Sequence, residues 1–238
     1  MILPRRPDDN NQLLQNIPAA ERARVEGYLS ERHLARDAYV YRRDARIAEA
    51  IFPTTCVLSA IALLQDGAGV EIGTIGREGF GGIQLALGVR EVPSEMLCQV
   101  SGDAYAMDAA AFTACLNELP VFRAIVYRYT QSFLNAMGQS IACNAMHGVT
   151  QRCARWLLTT RDRVGCDGFF LTQEYLAYML GVRRAGVSTA AGALQDAGLI
   201  HYRRGHIEIL DAARLEAVAC ECYHSINAAY RELMGGDA

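Results

Sequence analysis

The sequence predicts an α+β protein with three successive parts: a strand-rich N-terminal part, a long helix, and a C-terminal helix-turn-helix with a β-ribbon. Three observations predict it. Between residues 32 and 108, short apolar runs are punctuated by Gly and Asp, as is typical of a β-sandwich or barrel. Behind Pro120, apolar residues recur every three to four positions, which indicates a long helix. Residues 171–209 follow the order helix, turn, helix, ribbon.

The N-terminal part begins with a helical segment and continues as strands. Residues 12–29 carry the apolar spacing of a helix, and Pro18 starts a new turn within it. Strand-like runs follow, and Asp66-Gly67 between two of them predicts a hairpin turn. A last helix is expected from Ala212 to Leu233 at the other end of the chain.

The long helix carries an apolar stripe that fits a dimer interface. Gln131, Asn135 and Gln139 lie elsewhere on the helix, so the stripe is narrow, as in a two-stranded coiled coil. A helix packed on its own β-domain fits the same pattern, and both interpretations stay open here. The predicted dimer stripe consists of Phe122, Val126, Tyr129, Phe133, Met137 and Ile141.

Residues 171–209, which we call the reading head, have the pattern of a winged helix-turn-helix. Thr172 is a good N-cap for the first helix, and Gly181 can adopt the left-handed conformation that ends it. Leu199-Ile200 and residues 207–209 can pair as a ribbon. The second helix carries a buried stripe of Val187, Ala190, Ala191 and Leu194.

The second helix of the reading head begins with Arg183 and Arg184, where base-reading side chains are needed. The planar fork of arginine can donate two hydrogen bonds to guanine O6 and N7, and it also pairs with phosphate. An ordinary helical hairpin with a solvated basic tip is the alternative. The ribbon with its tip of Arg203, Arg204 and Gly205 favours DNA binding.

The charge distribution agrees with a DNA-binding reading head. The 238 residues carry a net charge of -3, but residues 151–207 hold 8 Arg against 4 acidic residues. A basic excess confined to the reading region is the electrostatic footprint of a DNA-binding protein. All 23 basic residues are Arg, which we interpret first as a compositional bias of the genome.

The sequence shows neither a transmembrane stretch nor a signal peptide. No run of about 18 apolar residues is present, and the N-terminus lacks an apolar core. We therefore expect a cytoplasmic protein without a membrane partner. In that compartment, the eight scattered Cys are expected to be small buried hydrophobes rather than a disulfide framework.

The order of these parts and two local motifs resemble the Crp/Fnr family of bacterial transcription regulators. The motifs are GREGFGG, at Gly76–Gly82, and the run LTQEYLAYMLGVRRAGVS that starts at Leu171. The resemblance implies a double-stranded β-roll of jelly-roll type, a long dimerisation helix and a C-terminal winged helix-turn-helix. It places a cyclic-nucleotide-binding-like sensor domain at residues 1–118, the dimerisation helix at 119–147 and the DNA-binding domain at 148–238.

The same resemblance assigns contacts with DNA to the reading head. Arg184 falls where the principal base-reading arginine of the family lies, and Arg183, Ser188 and Thr189 fall on adjacent reading positions. In the family, a signal at the β-roll changes the arrangement of a symmetric dimer that reads a palindromic site. The phosphate contacts are expected from Thr172, Gln173, Arg203 and Arg204.

The segment that would hold a cyclic nucleotide departs from the family pattern. Members that bind one use an Arg-Ser pair for the phosphate and a Glu of the glycine-rich turn for the ribose. Here Gly82 stands in place of the Glu and Ser94-Glu95 in place of the Arg-Ser pair, so a carboxylate would repel the phosphate. We expect no cyclic AMP binding of the usual kind, although Arg77 or Arg90 could replace the missing partner. The candidate effector pocket comprises Arg77, Phe80, Gly81, Gly82, Ser94 and Glu95.

Other candidate chemistry is weaker. Cys220, Cys222 and His224 resemble a metal corner, but on one continuous helix the two cysteines would lie on different faces. Zinc needs more ligands than this run supplies, so we expect no metal and no cofactor. The first cysteine is Cys56, which excludes the N-terminal iron-sulfur cluster of some family members. No catalytic residues are predicted, because no nucleophile and no pair of acidic residues has the sequence spacing of a recognisable catalytic motif.

The sequence therefore predicts a homodimeric transcription regulator that reads a palindromic operator through a helix starting near Arg183. Its expected partners are double-stranded DNA, a second copy of the chain, RNA polymerase and a small-molecule effector of unknown kind. The first alternative is a small-molecule or redox sensor that acts through protein contacts. An enzyme is the weaker alternative.

Overall fold

The computed structural model describes residues 11–65 and 69–235, and these fall into two compact units. The first unit comprises the residues up to Ser59 together with Ile75–Gln131, and the second comprises Ala60–Thr74 together with the residues from Ser132 onward. The hairpin turn predicted at Asp66-Gly67 lies outside the described residues.

The N-terminal part contains two β-sheets, with strand orders β1-β7-β3 and β2-β6-β4-β5. Strand β7 pairs antiparallel with both β1 and β3, and β4 and α5 run from the first unit into the second. The predicted fold class, strands followed by a long helix, is confirmed. The elements are α1 (Gln12–Gln15), α2 (Ala19–Glu26), β1 (Ser30–Leu34), β2 (Tyr39–Tyr41), β3 (Glu49–Pro53), β4 (Val57–Leu63), β5 (Gly69–Ile75), α3 (Ile83–Ala86), β6 (Ser94–Val100), β7 (Gly102–Asp108), α4 (Ala109–Glu118) and α5 (Pro120–Met146).

Aromatic rings form the centre of the first unit. The ring of Phe80 lies 5.6 Å from that of Phe52, 5.3 Å from that of Phe112 and 5.4 Å from that of Tyr129. Phe122 meets Phe112 edge-on at 5.7 Å. All five side chains are buried, and aromatic pairs at these separations add to the free energy of burial. The first half of α5 is therefore packed against its own unit.

The predicted dimer stripe on α5 is corrected by this packing. Phe122, Val126, Tyr129 and Phe133 are all buried within the chain, so they are core residues and not an open interface. Ile141 alone of the predicted six is exposed, and Met137 is half-buried. A period of three to four marks every apolar face of a helix, so the period alone does not distinguish a face buried in the core from a face at an interface.

A second stripe of α5 is exposed along its whole length. Its members recur with the alternating spacing of three and four residues that defines a coiled-coil heptad. Leu134 is 44% and Ile141 71% exposed, which is unusual for such large apolar side chains in one row. We call this row the exposed seam, and it consists of Ala124, Tyr127, Gln131, Leu134, Gly138, Ile141 and Ala145.

The C-terminal elements of the second unit form a winged helix-turn-helix. The three strands lie in the order β8-β10-β9, and β10 pairs antiparallel with both of its neighbours. The elements are α6 (Val149–Val164), β8 (Gly168–Phe170), α7 (Gln173–Leu180), α8 (Arg184–Asp196), β9 (Ile200–Arg203), β10 (His206–Ile209), α9 (Ala212–Val218) and α10 (Cys222–Met234).

The single helix predicted from Ala212 to Leu233 is wrong. The chain leaves the helix at Ala219, whose backbone is extended, and a new helix begins at Cys222. The apolar periodicity continues across the break, so the sequence pattern did not reveal it. The break changes where Cys220 and Cys222 lie relative to the rest of the unit.

None of the described helices combines the length and the apolar composition that a membrane span requires. Helices α4 and α5 meet that requirement only as a bent pair taken together.

Candidate nucleic-acid interface

The two helices of the reading head are set by local capping and by a buried stripe. The Thr172 hydroxyl accepts a hydrogen bond of 3.1 Å from the backbone N–H of Tyr175, which caps α7 as predicted. Gly181 ends α7 at φ 62°, in the left-handed region that glycine enters without strain. Leu176 of α7 and Val187 and Leu194 of α8 are buried, so the polar face of α8 is directed outward.

The predicted base-reading residues share the exposed face of α8. Arg183 is the N-cap residue, and Arg184 begins the helix. Arg184 and Ser188 are separated by one helical turn, so their side chains lie on the same face. The Thr189 hydroxyl donates to the Ala185 carbonyl at 3.1 Å, which partly occupies its hydrogen-bonding capacity. All four predicted residues are exposed, and the structure brings them together at the start of α8.

Glu174 is a neighbour of Arg184 that was not predicted from the sequence. Its carboxylate lies 4.0 Å from the Arg184 guanidinium, and both side chains are largely exposed, at 80% and 68%. An exposed ion pair of this length contributes little to stability, and the guanidinium remains available to another partner. The pair joins α7 to α8, so only the folded helix-turn-helix brings the two residues close together.

The wing is a two-residue hairpin. Arg203 pairs with His206, and the loop consists of Arg204 at φ 51° and Gly205 at φ 82°. Two successive residues with positive φ are characteristic of a type I′ turn, which matches the twist of the strands. A Cβ at position 205 would lie 2.8 Å from the Phe170 ring, so glycine is required there. Arg203 and Arg204 are exposed at the tip, as predicted.

Tyr202 attaches the wing to the rest of the reading head, a role that was not predicted from the sequence. Its hydroxyl donates to the Leu171 carbonyl at 2.8 Å, and its backbone N–H donates to the Gln195 side chain at 2.8 Å. Burial raises the pKa of Tyr202 to about 12, so the hydroxyl stays protonated and able to donate. These bonds hold the start of α7 and the end of α8 against β9.

The predicted phosphate-contact residues lie at the start of α7 and at the wing tip. Gln173 is the first residue of α7 and is half-buried, and Thr172 precedes it. A helix start presents free backbone N–H groups, which favour an anion such as a phosphate. The Thr172 oxygen already accepts from Tyr175, so its remaining capacity toward a phosphate is to donate its hydroxyl proton.

The six residues of the candidate effector pocket lie in the first unit but do not all reach its surface. Phe80 belongs to the aromatic core, and Gly81 bridges to Ile51 through two backbone hydrogen bonds. Gly82 is buried at φ 93°, with the Glu49 carbonyl 3.3 Å from a would-be Cβ. Arg77, Ser94 and Glu95 are half-buried, and the Arg77 Nε has no hydrogen-bond partner among the described residues.

The C-terminal part of the chain matches a known domain family. Residues 151–218 match the model of the Crp-like helix-turn-helix domain. This part of the chain is therefore a Crp-like helix-turn-helix domain. The matched range contains the whole reading head, including α8 and the wing, and extends into α6 and α9. The resemblance stated from the reading head is therefore confirmed for this domain.

Three solved structures share the fold over most of the chain. FixK2 from Bradyrhizobium japonicum is 14% identical and has a TM-score of 0.70, with 81% of this chain and 98% of that one covered. The c-di-GMP-responsive global regulator CLP from Xanthomonas campestris is 16% identical, with a TM-score of 0.65 and coverages of 81% and 99%. A CRP-family transcriptional regulator from Thermus thermophilus is 19% identical, with a TM-score of 0.65 and coverages of 79% and 96%. No curated protein sequence matches the chain.

Proposed function

We propose that the protein is a DNA-binding transcription regulator that binds as a homodimer to a two-fold symmetric site. The observation that carries the proposal is the pair Arg183 and Arg184, exposed at the start of a helix in a Crp-like helix-turn-helix domain. Arginine at this place can read guanine in the major groove. The exposed wing arginines Arg203 and Arg204 would contact the flanking phosphates. This role requires no catalytic residues.

The exposed seam of α5 supports the dimer part of the proposal. In a parallel pair of such helices, Leu134 and Ile141 would each meet their counterpart in the second copy. Gly138 lies between them. Apart from the backbone of its own helix, no atom of the described residues lies within 4 Å of a Cβ added there, so two backbones could approach closely at this point. Two reading heads related by a two-fold axis would then reach successive major grooves, about one helical turn apart.

Genome-wide footprinting of the purified protein without added ligand tests the function as a whole. We expect protected sites with two-fold symmetry, whose affinity falls with salt because phosphate contacts release counterions. If no sequence-selective protection is found, the helix-turn-helix would serve as a protein interaction surface, and the alternative of a sensor acting through protein contacts would be favoured.

Replacing Arg184 by alanine tests the base-reading role. We expect the change to cost about 1–3 kcal/mol of binding free energy and to relax base preference at one position of each half-site. Fluorescence anisotropy on the footprinted operator and on single-base variants measures both effects. Arg22→Ala is the matched control, since Arg22 is an arginine on α2, outside the reading head, and forms an i,i+4 pair with Glu26. Wild-type affinity and base preference in Arg184→Ala would refute the role.

We propose that the first unit does not bind the cyclic nucleotide that is the usual effector of this fold. Gly82 supplies no carboxylate for a ribose, and its position at φ 93° beside the Glu49 carbonyl would strain any larger residue. Glu95 places a carboxylate where the phosphate would need a cation. Titration calorimetry with cyclic AMP is expected to show no binding in the micromolar range. A micromolar dissociation constant would contradict this proposal and leave the DNA-binding proposal intact.

A further inference from the structure

Three cysteines and one histidine come together where α5 ends near the break between α9 and α10. Cys143 lies in the last turns of α5, and His147 follows it by one helical turn. Cys220 and Cys222 flank Glu221 at the break. The four potential ligand atoms all lie within 4.8 Å of one another, although the two pairs are more than 70 residues apart in the chain.

The distances between these atoms match one tetrahedral ion. With zinc–sulfur bonds of about 2.3 Å, two thiolates on the same tetrahedral ion are about 3.8 Å apart. The Cys143 and Cys220 sulfurs are 3.4 Å apart, and the Cys222 sulfur is 3.6 Å from Nδ1 of His147. A disulfide would require about 2.05 Å between the two sulfurs. Cys143 and Cys220 are therefore free thiols, at a separation that suits two ligands of one ion.

Neighbouring polar groups orient the histidine and one of the sulfurs. Nε2 of His147 lies 3.2 Å from the Glu221 carboxylate, while Nδ1 faces the sulfurs. Metal-binding histidines usually donate their other ring N–H to a carboxylate in this way, which fixes the ring and its tautomer. The Gln139 amide donates to the Cys222 sulfur at 3.2 Å. These contacts direct Nδ1 of His147 toward the sulfurs, at the place where a shared cation would lie.

The charges around the cluster favour a negatively charged site. Arg152 and Arg155 are both buried, and their Nε atoms have no hydrogen-bond partner among the described residues. Arg155 is close enough to Cys143 to interact with it electrostatically, and Arg152 interacts in the same way with Cys143 and Cys220. Zinc with three thiolates and a neutral histidine carries a net charge of -1, which would offset buried arginine charge.

We propose that Cys143, His147, Cys220 and Cys222 form a structural Cys3His zinc site. Four protein ligands leave no open position, which distinguishes a structural from a catalytic zinc site. The proposed site differs from the expectation that no metal binds. That expectation was based on Cys220 and Cys222 with His224 as the histidine ligand. That residue lies 3.4 Å from Glu216 instead, and His147 of another helix supplies the fourth ligand. The ion would fix the end of α5 to the segment that joins α9 and α10.

Metal analysis of the full-length protein tests the proposal directly. The protein is purified with reductant and zinc, desalted, and measured by native and inductively coupled plasma mass spectrometry. We expect about one zinc per chain. Replacement by Co²⁺ is expected to give the visible bands and thiolate charge-transfer absorption of a tetrahedral sulfur-rich site. Chelation is expected to lower the melting temperature, because metal binding to the folded state contributes to stability.

Matched variants separate the site from unrelated thiols and imidazoles. Cys143→Ser and His147→Ala are expected to lose stoichiometric zinc, whereas Cys166→Ser and His224→Ala are expected to retain it. His147→Cys is expected to keep one metal per chain with an altered cobalt spectrum, which guards against variants that merely fail to fold. Glu221→Gln is expected to weaken zinc binding about 10-fold, because the carboxylate orients the histidine.

Three results would overturn the proposal. The first is wild-type protein with far less than one zinc per chain after purification with zinc. The second is retention of stoichiometric zinc in folded Cys143→Ser. The third is a Cys143–Cys220 disulfide, detected by peptide mass spectrometry, in place of the metal. None of these results concerns DNA binding, so the metal site and the proposed function are tested independently of each other.

Discussion

Replacing both Leu134 and Ile141 by arginine is expected to convert the proposed dimer into monomers and to abolish tight operator binding. Both side chains are exposed in one chain, so the arginines are solvated and the monomer fold is unaffected. In a dimer, each arginine would face its like-charged counterpart across the seam, at a cost of several kcal/mol. Sedimentation velocity measures the mass, and fluorescence anisotropy the affinity. Loss of the second half-site is expected to weaken binding by about 10²–10⁴-fold.

Ala142→Arg is the control for this pair of substitutions. Ala142 is exposed on α5 and adjoins the seam without belonging to it, at a heptad position where charged side chains are tolerated. It should remain dimeric and bind the operator as the wild type does. A double variant that sediments as a dimer would show that the copies associate elsewhere or not through α5 at all.

Replacing Phe80 by alanine is expected to lower the free energy of unfolding by about 3–5 kcal/mol. The ring is fully buried among Phe52, Phe112 and Tyr129, and its loss leaves a cavity that rigid aromatic neighbours cannot fill. Urea denaturation followed by circular dichroism measures the change. The result also distinguishes a core residue from a residue that lines an effector pocket. Truncating a side chain that mainly lined a pocket would change the free energy of unfolding only slightly.

Leu87→Ala serves as the reference for this experiment. Leu87 follows α3 in the same segment and is largely exposed, so its truncation should change the free energy of unfolding by about 0.5 kcal/mol or less. A loss below about 1 kcal/mol in Phe80→Ala would contradict the placement of this ring in the core.

The reading head could be predicted from the sequence because its determinants are local. Thr172 caps a helix that begins at the next residue, and Gly181 ends that helix eight residues later. The buried stripe of α8 repeats within one helix, and the wing needs only two short strands around a tight turn. Each signal lies within a few residues of the structure that it determines.

The orientation of α5 could not be predicted in the same way. The helix carries two apolar stripes with nearly the same period, one through Phe122 and Tyr129 and one through Leu134 and Ile141. Which stripe is buried depends on partners far along the chain, such as Phe80 and Phe112. The same reason applies to Cys143 and Cys220, since only the folded chain brings their sulfurs together.

The turn at the wing tip has a thermodynamic consequence for binding. Arg204 occupies a left-handed conformation that costs an L-residue about 1–2 kcal/mol, and the β9–β10 ladder on either side of the turn holds it there. This cost lowers the stability of the folded protein, and it does not reduce the free energy of binding to a partner. A tip already in its final shape loses little backbone entropy when it meets a phosphate, so its contacts contribute more of their energy to affinity.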